Sequence, residues 1–204
     1  MKKKLVCYLF LFFTIIFIIS FYNVNKTSPQ EELSNKLLRF HVIANSNSNN
    51  DQYIKMKVKE AVVTAMEPRM KHCTSKEEAI MIAQSNLSYM TQIATETLNN
   101  HHVNQSVSIN IETSYFPTKT YGEFTFPPGY YDSVRIILGN GKGENWWCVL
   151  YPPLCFVDIS YGVVPDSSKE TLANTLSTNT YNSLTEEKPK LGFRFFTFLN
   201  RFLE

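Results

Sequence analysis

The chain is poor in the features that define several common classes. Its 204 residues hold only 4 Cys and 7 Gly, too few cysteines for a disulfide-framework miniprotein and too few glycines for a collagen-like or linker-like chain. Charge of either sign is scarce: 19% of residues are charged and the formal net charge is +2, which leaves no excess of Lys and Arg to neutralise phosphates. Lys2, Lys3, Lys4 and Lys26 flank the first apolar run, and without them residues 27–204 carry 16 basic against 18 acidic side chains. Nucleic acid is therefore not an expected partner. Absent too are H-E-x-x-H, C-x-x-C, G-x-S-x-G and any internal repeat, so no metal site, cofactor or small-molecule substrate is expected. Gly139-x-Gly141-x-Gly143 is glycine-rich but precedes a strand pattern, so no helix N-terminus follows to hold a phosphate.

Long apolar runs occur once at full length. Leu5–Tyr22 is interrupted only by Thr14 and Ser20, and as a helix it spans roughly 27 Å, about the hydrocarbon thickness of a bilayer. With the Lys cluster held in the cytoplasm, the remainder is expected to be exported, through a signal segment or an uncleaved anchor over residues 1–22. The residues before Phe21 supply little of a small-residue cleavage pattern, which favours the anchor. Residues 23–36 read as a polar tether that turns helical toward Leu37. The working domain is placed at 37–160, and residues 161–204 as a loosely held polar extension with an aromatic C-terminal segment.

Within the domain, Leu38–Ala44 alternates at period two, with Leu38, Phe40, Val42 and Ala44 on one face and Arg39, His41 and Ile43 on the other. The Asn/Ser-rich turn ending at Asp51 opens a helix whose stripe is Ile54, Val58, Ala61, Val62 and Ala65, with Pro68 expected to stop it. A second helix begins at the capping box Ser75-x-x-Glu78 and runs to Asn99–Asn100. Strands follow over 106–112, 133–138 and 146–151, the last two joined through Gly139–Gly143 as a hairpin. The order β-α-α-β-β-β predicts an α+β two-layer sandwich: a mixed sheet of about four strands with two helices on one face.

The other face then becomes an open polar platform bearing Arg39, His41 and Arg135, with Asn110 and Glu112 able to point the same way. Its readings are a solvated surface, a partner surface, or a hydrolase site built from His41 with Asp51 or Glu123. Trp146 and Trp147 are read as structural, with Pro152 and Pro153 as a turn. Cys148 and Cys155 flank that turn, either as a disulfide or as two buried thiols. Tyr121–Tyr131 is the densest aromatic stretch, with Pro127-Pro128-Gly129 marking a turn.

Three runs carry a resemblance. Leu38-Arg39-Phe40-His41-Val42-Ile43-Ala44-Asn45-Ser46 with Asp51-Gln52 and Lys57-Val58-Lys59, the run Tyr121–Tyr130, and Gly139–Phe156 with its Trp146-Trp147-Cys148 block resemble the stage II sporulation protein R family over about residues 36–160. The chain departs from the family pattern at Asn47, Asn49 and Asn50, where an acidic turn is usual. The resemblance implies a signalling role in endospore formation: a forespore product exported across the forespore membrane into the intermembrane septal space. There it would trigger a membrane-embedded aspartic protease of the mother cell, which processes a sigma factor precursor. It carries over no catalytic residue and nothing beyond residue 160. The expected partner-contact residues are Arg39, His41, Asn45, Asp51, Glu123 and Arg135. The alternative is a septal-wall hydrolase using His41 with an acidic partner.

Overall fold

The computed structural model describes residues 8, 10–17, 28–155 and 164–185. In chain order the elements are α1 (Pro29–Lys36), β1 (Leu38–Ile43), α2 (Asn49–Met70), α3 (Lys76–Ser85), α4 (Leu87–Asn100), β2 (Val107–Phe116), β3 (Lys119–Tyr121), β4 (Phe124–Phe126), β5 (Gly129–Leu138), β6 (Asn145–Tyr151), α5 (Asp166–Thr175) and α6 (Thr178–Thr185). The fold is α+β around a mixed four-stranded sheet of order β2-β5-β1-β6, with β3 and β4 forming a separate two-stranded ribbon.

β1 lies inside the sheet, parallel to β5 and antiparallel to β6. That corrects the expected hairpin: Gly139–Gly143 does not join two paired strands but carries the chain across β1. The physical reason is burial. All six β1 residues are buried, and a strand apolar on one face and fully covered on both belongs at a sheet centre. In the crossing loop, Lys142 and Gly143 donate their amides to the carbonyls of Asn45 and Ala44 at 3.1 and 2.8 Å, so the loop is bonded to the end of β1 and not free to make a tight turn.

α2, α3 and α4 cover one face. Lys59 on α2 lies 5.1 Å from the Trp146 ring centroid, and Lys76 on α3 pairs with Asp132 on β5 at 2.7 Å. Two helix boundaries differ from expectation. Pro68 sits inside α2, which continues to Met70; lacking an N–H, it leaves the Thr64 carbonyl without its helical donor, and the helix ends two residues later. The second helix is broken at Asn86, which donates its side-chain amide to Ile82 O at 2.8 Å and ends α3. Ser75 does cap α3 as its sequence implies, accepting from Glu78 N at 3.1 Å.

The opposite face is not an open platform. The β3–β4 ribbon, α1, α5 and α6 roof one end of it, with Phe124 against Tyr181 at 5.5 Å between ring centroids. Nor is 164–185 loose: Leu172 and Leu184 are buried, and Ser177 and Thr180 hold the Glu32 carboxylate through hydroxyl bonds of 2.7 and 2.6 Å. α1, the second half of the expected tether, buries Leu33 and is capped by Ser28. Half of the expected 5–22 export segment and the aromatic segment from Leu191 on lie outside the described residues. Among the described residues no helix is long and apolar enough to cross a membrane.

Candidate functional site

The register sets what faces what. On the face away from α2–α4, β1 presents Arg39, His41 and Ile43, flanked by Ser133, Arg135 and Ile137 of β5 and by Val149, Trp147 and Asn145 of β6. β2 adds Ser108, Asn110, Glu112 and Ser114 to the same face.

At the roofed end, Arg39 is fully buried and boxed by aromatic rings. Its guanidinium carbon lies 4.4 Å from the Phe116 centroid, 5.0 Å from Tyr131 and 5.5 Å from Phe126. Nε donates to Cys148 O at 3.0 Å and Nη2 to the Tyr121 hydroxyl at 3.4 Å, while that hydroxyl donates to Trp147 O at 2.9 Å. Burial lowers the guanidinium pKa from its ordinary value, with the tyrosines opposing. Arg39 therefore organises the fold and is not an exposed contact, because a sheet face read as polar was roofed by the aromatic ribbon.

His41 is 3% exposed and stacks on Trp147 at 4.9 Å with a 10° interplanar angle, with Phe116 on a second side at 5.2 Å. Neither ring nitrogen has a hydrogen-bond partner. Burial, then the charge of Arg135, pull its pKa down to about 4, so the imidazole is neutral near pH 7. Beside it, Arg135 donates to Glu112 Oε1 at 2.7 Å, a pair one-third exposed at 33% and 38%. That bond, and then the Arg135 charge, hold the Glu112 carboxyl below its ordinary range. This charged pair, the half-buried Trp147, Ile137 and Asn145 and the exposed Ser108 and Asn110 make up the open part of the face.

The other expected residues fall elsewhere. Asn45 and Asp51 form a clamp at the C-terminal end of β1. The Asp51 carboxylate accepts from Ser46 Oγ at 2.5 Å, Asn45 Nδ2 at 2.9 Å and Gln105 Nε2 at 2.7 Å, and the Ser46 bond leads in lowering its pKa. Asn45 Oδ1 accepts from Asn140 N at 2.9 Å, and Asn47 Oδ1 from Glu144 N at 2.7 Å, so Asn45 and one of the asparagines that replace the usual acidic turn, Asn47, bind the crossing loop. Glu123, at the tip of the β3–β4 ribbon, pairs with Lys169 of α5 at 2.9 Å. Neither Asp51 nor Glu123 is bonded to His41. Cys148 and Cys155 are joined in a disulfide around Pro152 and Pro153.

The runs Leu38–Ser46, Tyr121–Phe126 and Gly139–Cys155 thus meet: the first supplies Arg39, the second the ring and hydroxyl around it, the third the carbonyls and the Trp that close the cluster. A family model for stage II sporulation protein R matches residues 34–161, the stretch that holds all three. The chain belongs to the stage II sporulation protein R family. The protein named stage II sporulation protein R of Bacillus subtilis (strain 168) is 42% identical over 130 residues, covering 64% of this chain and 58% of that protein. The match thus spans less than two thirds of the relative's length. No solved structure matches.

Some family-stretch residues that build the site were hidden in the sequence. Phe116 and Tyr131 end and begin strands separated by the ribbon, and only its fold-back places them on Arg39. Gln105 precedes β2 in a loop with no pattern of its own. Lys55 is buried under the crossing loop, donating to Gln52 Oε1 at 2.6 Å and Glu144 O at 3.1 Å. Its place on the helix, one residue after Ile54, gave a partial signal.

Proposed function

We propose that this chain is an exported signalling protein of endospore formation that acts by binding. In this reading it crosses the forespore membrane by its N-terminal apolar segment and stays tethered in the intermembrane septal space. There it engages a membrane-embedded aspartic protease of the mother cell. It biases that receptor toward its active arrangement by binding it better than the inactive one, and a sigma factor precursor is then processed. Membership of the stage II sporulation protein R family over residues 34–161 carries the reading.

The site supports binding over turnover. A general base needs a hydrogen-bonded orienting partner and an accessible ring nitrogen. His41 has neither: it is buried, unpartnered and stacked flat on Trp147. The hydrolase alternative also needs an acidic partner for His41, and Asp51 and Glu123 are engaged with Ser46 and Lys169, while Glu112, whose charge reaches His41, is bonded to Arg135. The charge that remains reachable on the face is the Glu112–Arg135 pair, whose orientation a partner can read through its complementary charge.

The test is reconstitution in a non-sporulating bacterium of this chain, the protease and the sigma factor precursor, with precursor cleavage followed by blotting. Arg135→Glu alone would set two carboxylates together, so the informative variant is the exchange Glu112→Arg with Arg135→Glu, which keeps the pair and reverses its direction. It should unfold within about 1 kcal/mol of the parent, as expected of a partly exposed pair, while cleavage is lost. Cleavage at the parent rate would remove the pair from the contact surface. No cleavage with the unaltered chain, all three proteins being present, would refute direct activation.

A further inference from the structure

The two edges of the central sheet are finished differently. The β6 edge is short and blunted: after seven residues the chain turns at Pro152–Pro153, and the amides of Leu154 and Cys155 both donate to Val149 O, at 3.1 and 3.0 Å. The β2 edge has no such protection. It is ten residues long and pairs with β5 in unbroken register from Val107↔Leu138 to Phe116↔Gly129, without a bulge. It contains no Pro, Lys or Arg, and its one charge, Glu112, is already paired with Arg135. Natural sheets usually guard such an edge with one of these devices.

The direction of the ladder follows from two bonds. Gly139 N donates to Ser106 O at 2.8 Å, and Ser133 Oγ reaches Glu112 O at 3.1 Å, so the even-numbered residues of β2 turn their backbone toward β5. Val107, Ile109, Ile111, Thr113 and Tyr115 therefore point their N–H and C=O groups outward. Among the described residues nothing pairs with them, and β2 ends the sheet.

We propose that this edge is a self-association surface, on which β2 of a second copy adds antiparallel about a two-fold axis through Ile111, making one continuous eight-stranded sheet. The sequence of β2 is complementary to itself in that register. Ile111 meets Ile111, Ile109 meets Thr113 and Val107 meets Tyr115, each a β-branched or aromatic pair of the kind that stabilises neighbouring strands. On the other face Asn110 meets Glu112 and Ser108 meets Ser114, so no like charges oppose. The same register sets Val107 of one copy beside Tyr115 of the other, where Tyr115 and Tyr130 form an exposed edge-to-face pair, 53% and 67% accessible with centroids 5.5 Å apart. A second copy fits better than an unrelated strand because the symmetric register makes about ten backbone bonds and leaves no position mismatched.

The experiment uses the full chain in detergent micelles, with Cys7 and Cys73 replaced by Ser and Ala. Ser108→Cys and Ser114→Cys chains, carrying different tags, are oxidised together and separately. The proposal expects a mixed disulfide between the two tags, at least tenfold above either chain alone. In this register like positions lie six residues apart, about 20 Å along the strand. Thr113→Pro should abolish the mixed product, since its lost N–H points away from β5 and the chain's own sheet keeps its bonds; circular dichroism and thermal unfolding check that it stays folded. A monomer by light scattering at high micromolar concentration with no mixed product would overturn the proposal. So would equal yield in folded Thr113→Pro, or like-with-like crosslinks equal to the mixed one.

Discussion

Removing the Asp51 carboxylate tests whether the clamp at the end of β1 holds the domain together. Three side chains donate to it, from the β1–α2 turn and the loop before β2, and Ser48 Oγ accepts the Asp51 amide at 3.1 Å as the helix cap. A hydrogen bond to a charged group contributes about 1.5–3 kcal/mol, so three would sum to about 4.5–9 kcal/mol if independent. They share one carboxylate, and groups in one network do not add; about 2–4 kcal/mol is the expected loss for Asp51→Ala. In a domain of this size that is a fall of about 5–15 °C in Tm. Asp51→Asn should cost less, about 1–2 kcal/mol, because Gln105 Oε1 has no partner and can turn to accept from the new amide. The assay is urea unfolding of both variants and the parent from pH 7 to pH 2.5. The folded carboxyl pKa is depressed, so its stabilisation is complete above the unfolded value of about 4 and is lost as pH falls through the folded value. The gap between parent and Asp51→Asn must therefore narrow below about pH 4. Two outcomes refute the reasoning: Asp51→Ala within 0.5 kcal/mol of the parent, taken here as about the scatter of ordinary surface substitutions, or a gap that stays constant down to pH 2.5.

Three further outcomes are expected. His41 is buried neutral with its pKa down to about 4, so folding loses stability as pH falls from about 6.5 to 4; His41→Phe should flatten that stretch, by up to about 3 kcal/mol, in the same urea series. Gly143→Ala would put a Cβ 2.3 Å from the Ser46 carbonyl oxygen, backbone that cannot swing aside, and should cost about 1–3 kcal/mol in thermal unfolding. Replacing Cys148 and Cys155 by Ser together opens a loop with a sequence separation of 7 and should cost about 2–3 kcal/mol, read as a lower urea midpoint at unchanged slope.

The sequence made the helices and the core face of β1 legible because periodicity reports directly on one-sided burial. Ile54, Val58 and Val62 are buried, as are Phe40 and Val42. Strand order was not legible. β1 pairs parallel with a strand some ninety residues later, and nothing in local alternation distinguishes a parallel crossover from the hairpin that Asn140-Gly141 suggests. The second face failed for a related reason. Arg39 and His41 read as solvent-facing because polar residues at alternate positions usually are. Phe126 and Tyr121, which cover Arg39, belong to a short ribbon whose fold-back leaves no periodic trace, and His41 is covered by Phe116 and Trp147 from the neighbouring strands. The role of Asp51 is not legible: acidic residues at helix starts are common, and only the approach of Gln105 to a carboxylate already held by Asn45 and Ser46 turns this one into a clamp.

What this rearranges is the meaning of the family runs. Arg39, Tyr121, Phe126 and the Trp147 carbonyl come from three separated stretches and close one buried cluster. A guanidinium there carries several kcal/mol of desolvation, offset by ring contacts and one good bond to Cys148 O. Lysine cannot replace it, since an ammonium lacks the planar fork that stacks and donates at once. Such residues are held in place by the fold before any partner is considered, and a substitution at Arg39 is expected to act by unfolding the ribbon. On the proposed reading, partner recognition falls where charge stays accessible: at Glu112 on the unprotected β2 edge strand and at Arg135 one strand in. A receptor reading that pair and a second copy adding along β2 would approach the same end of the sheet. If both occur, the receptor meets a two-fold pair of charged faces and not a single one.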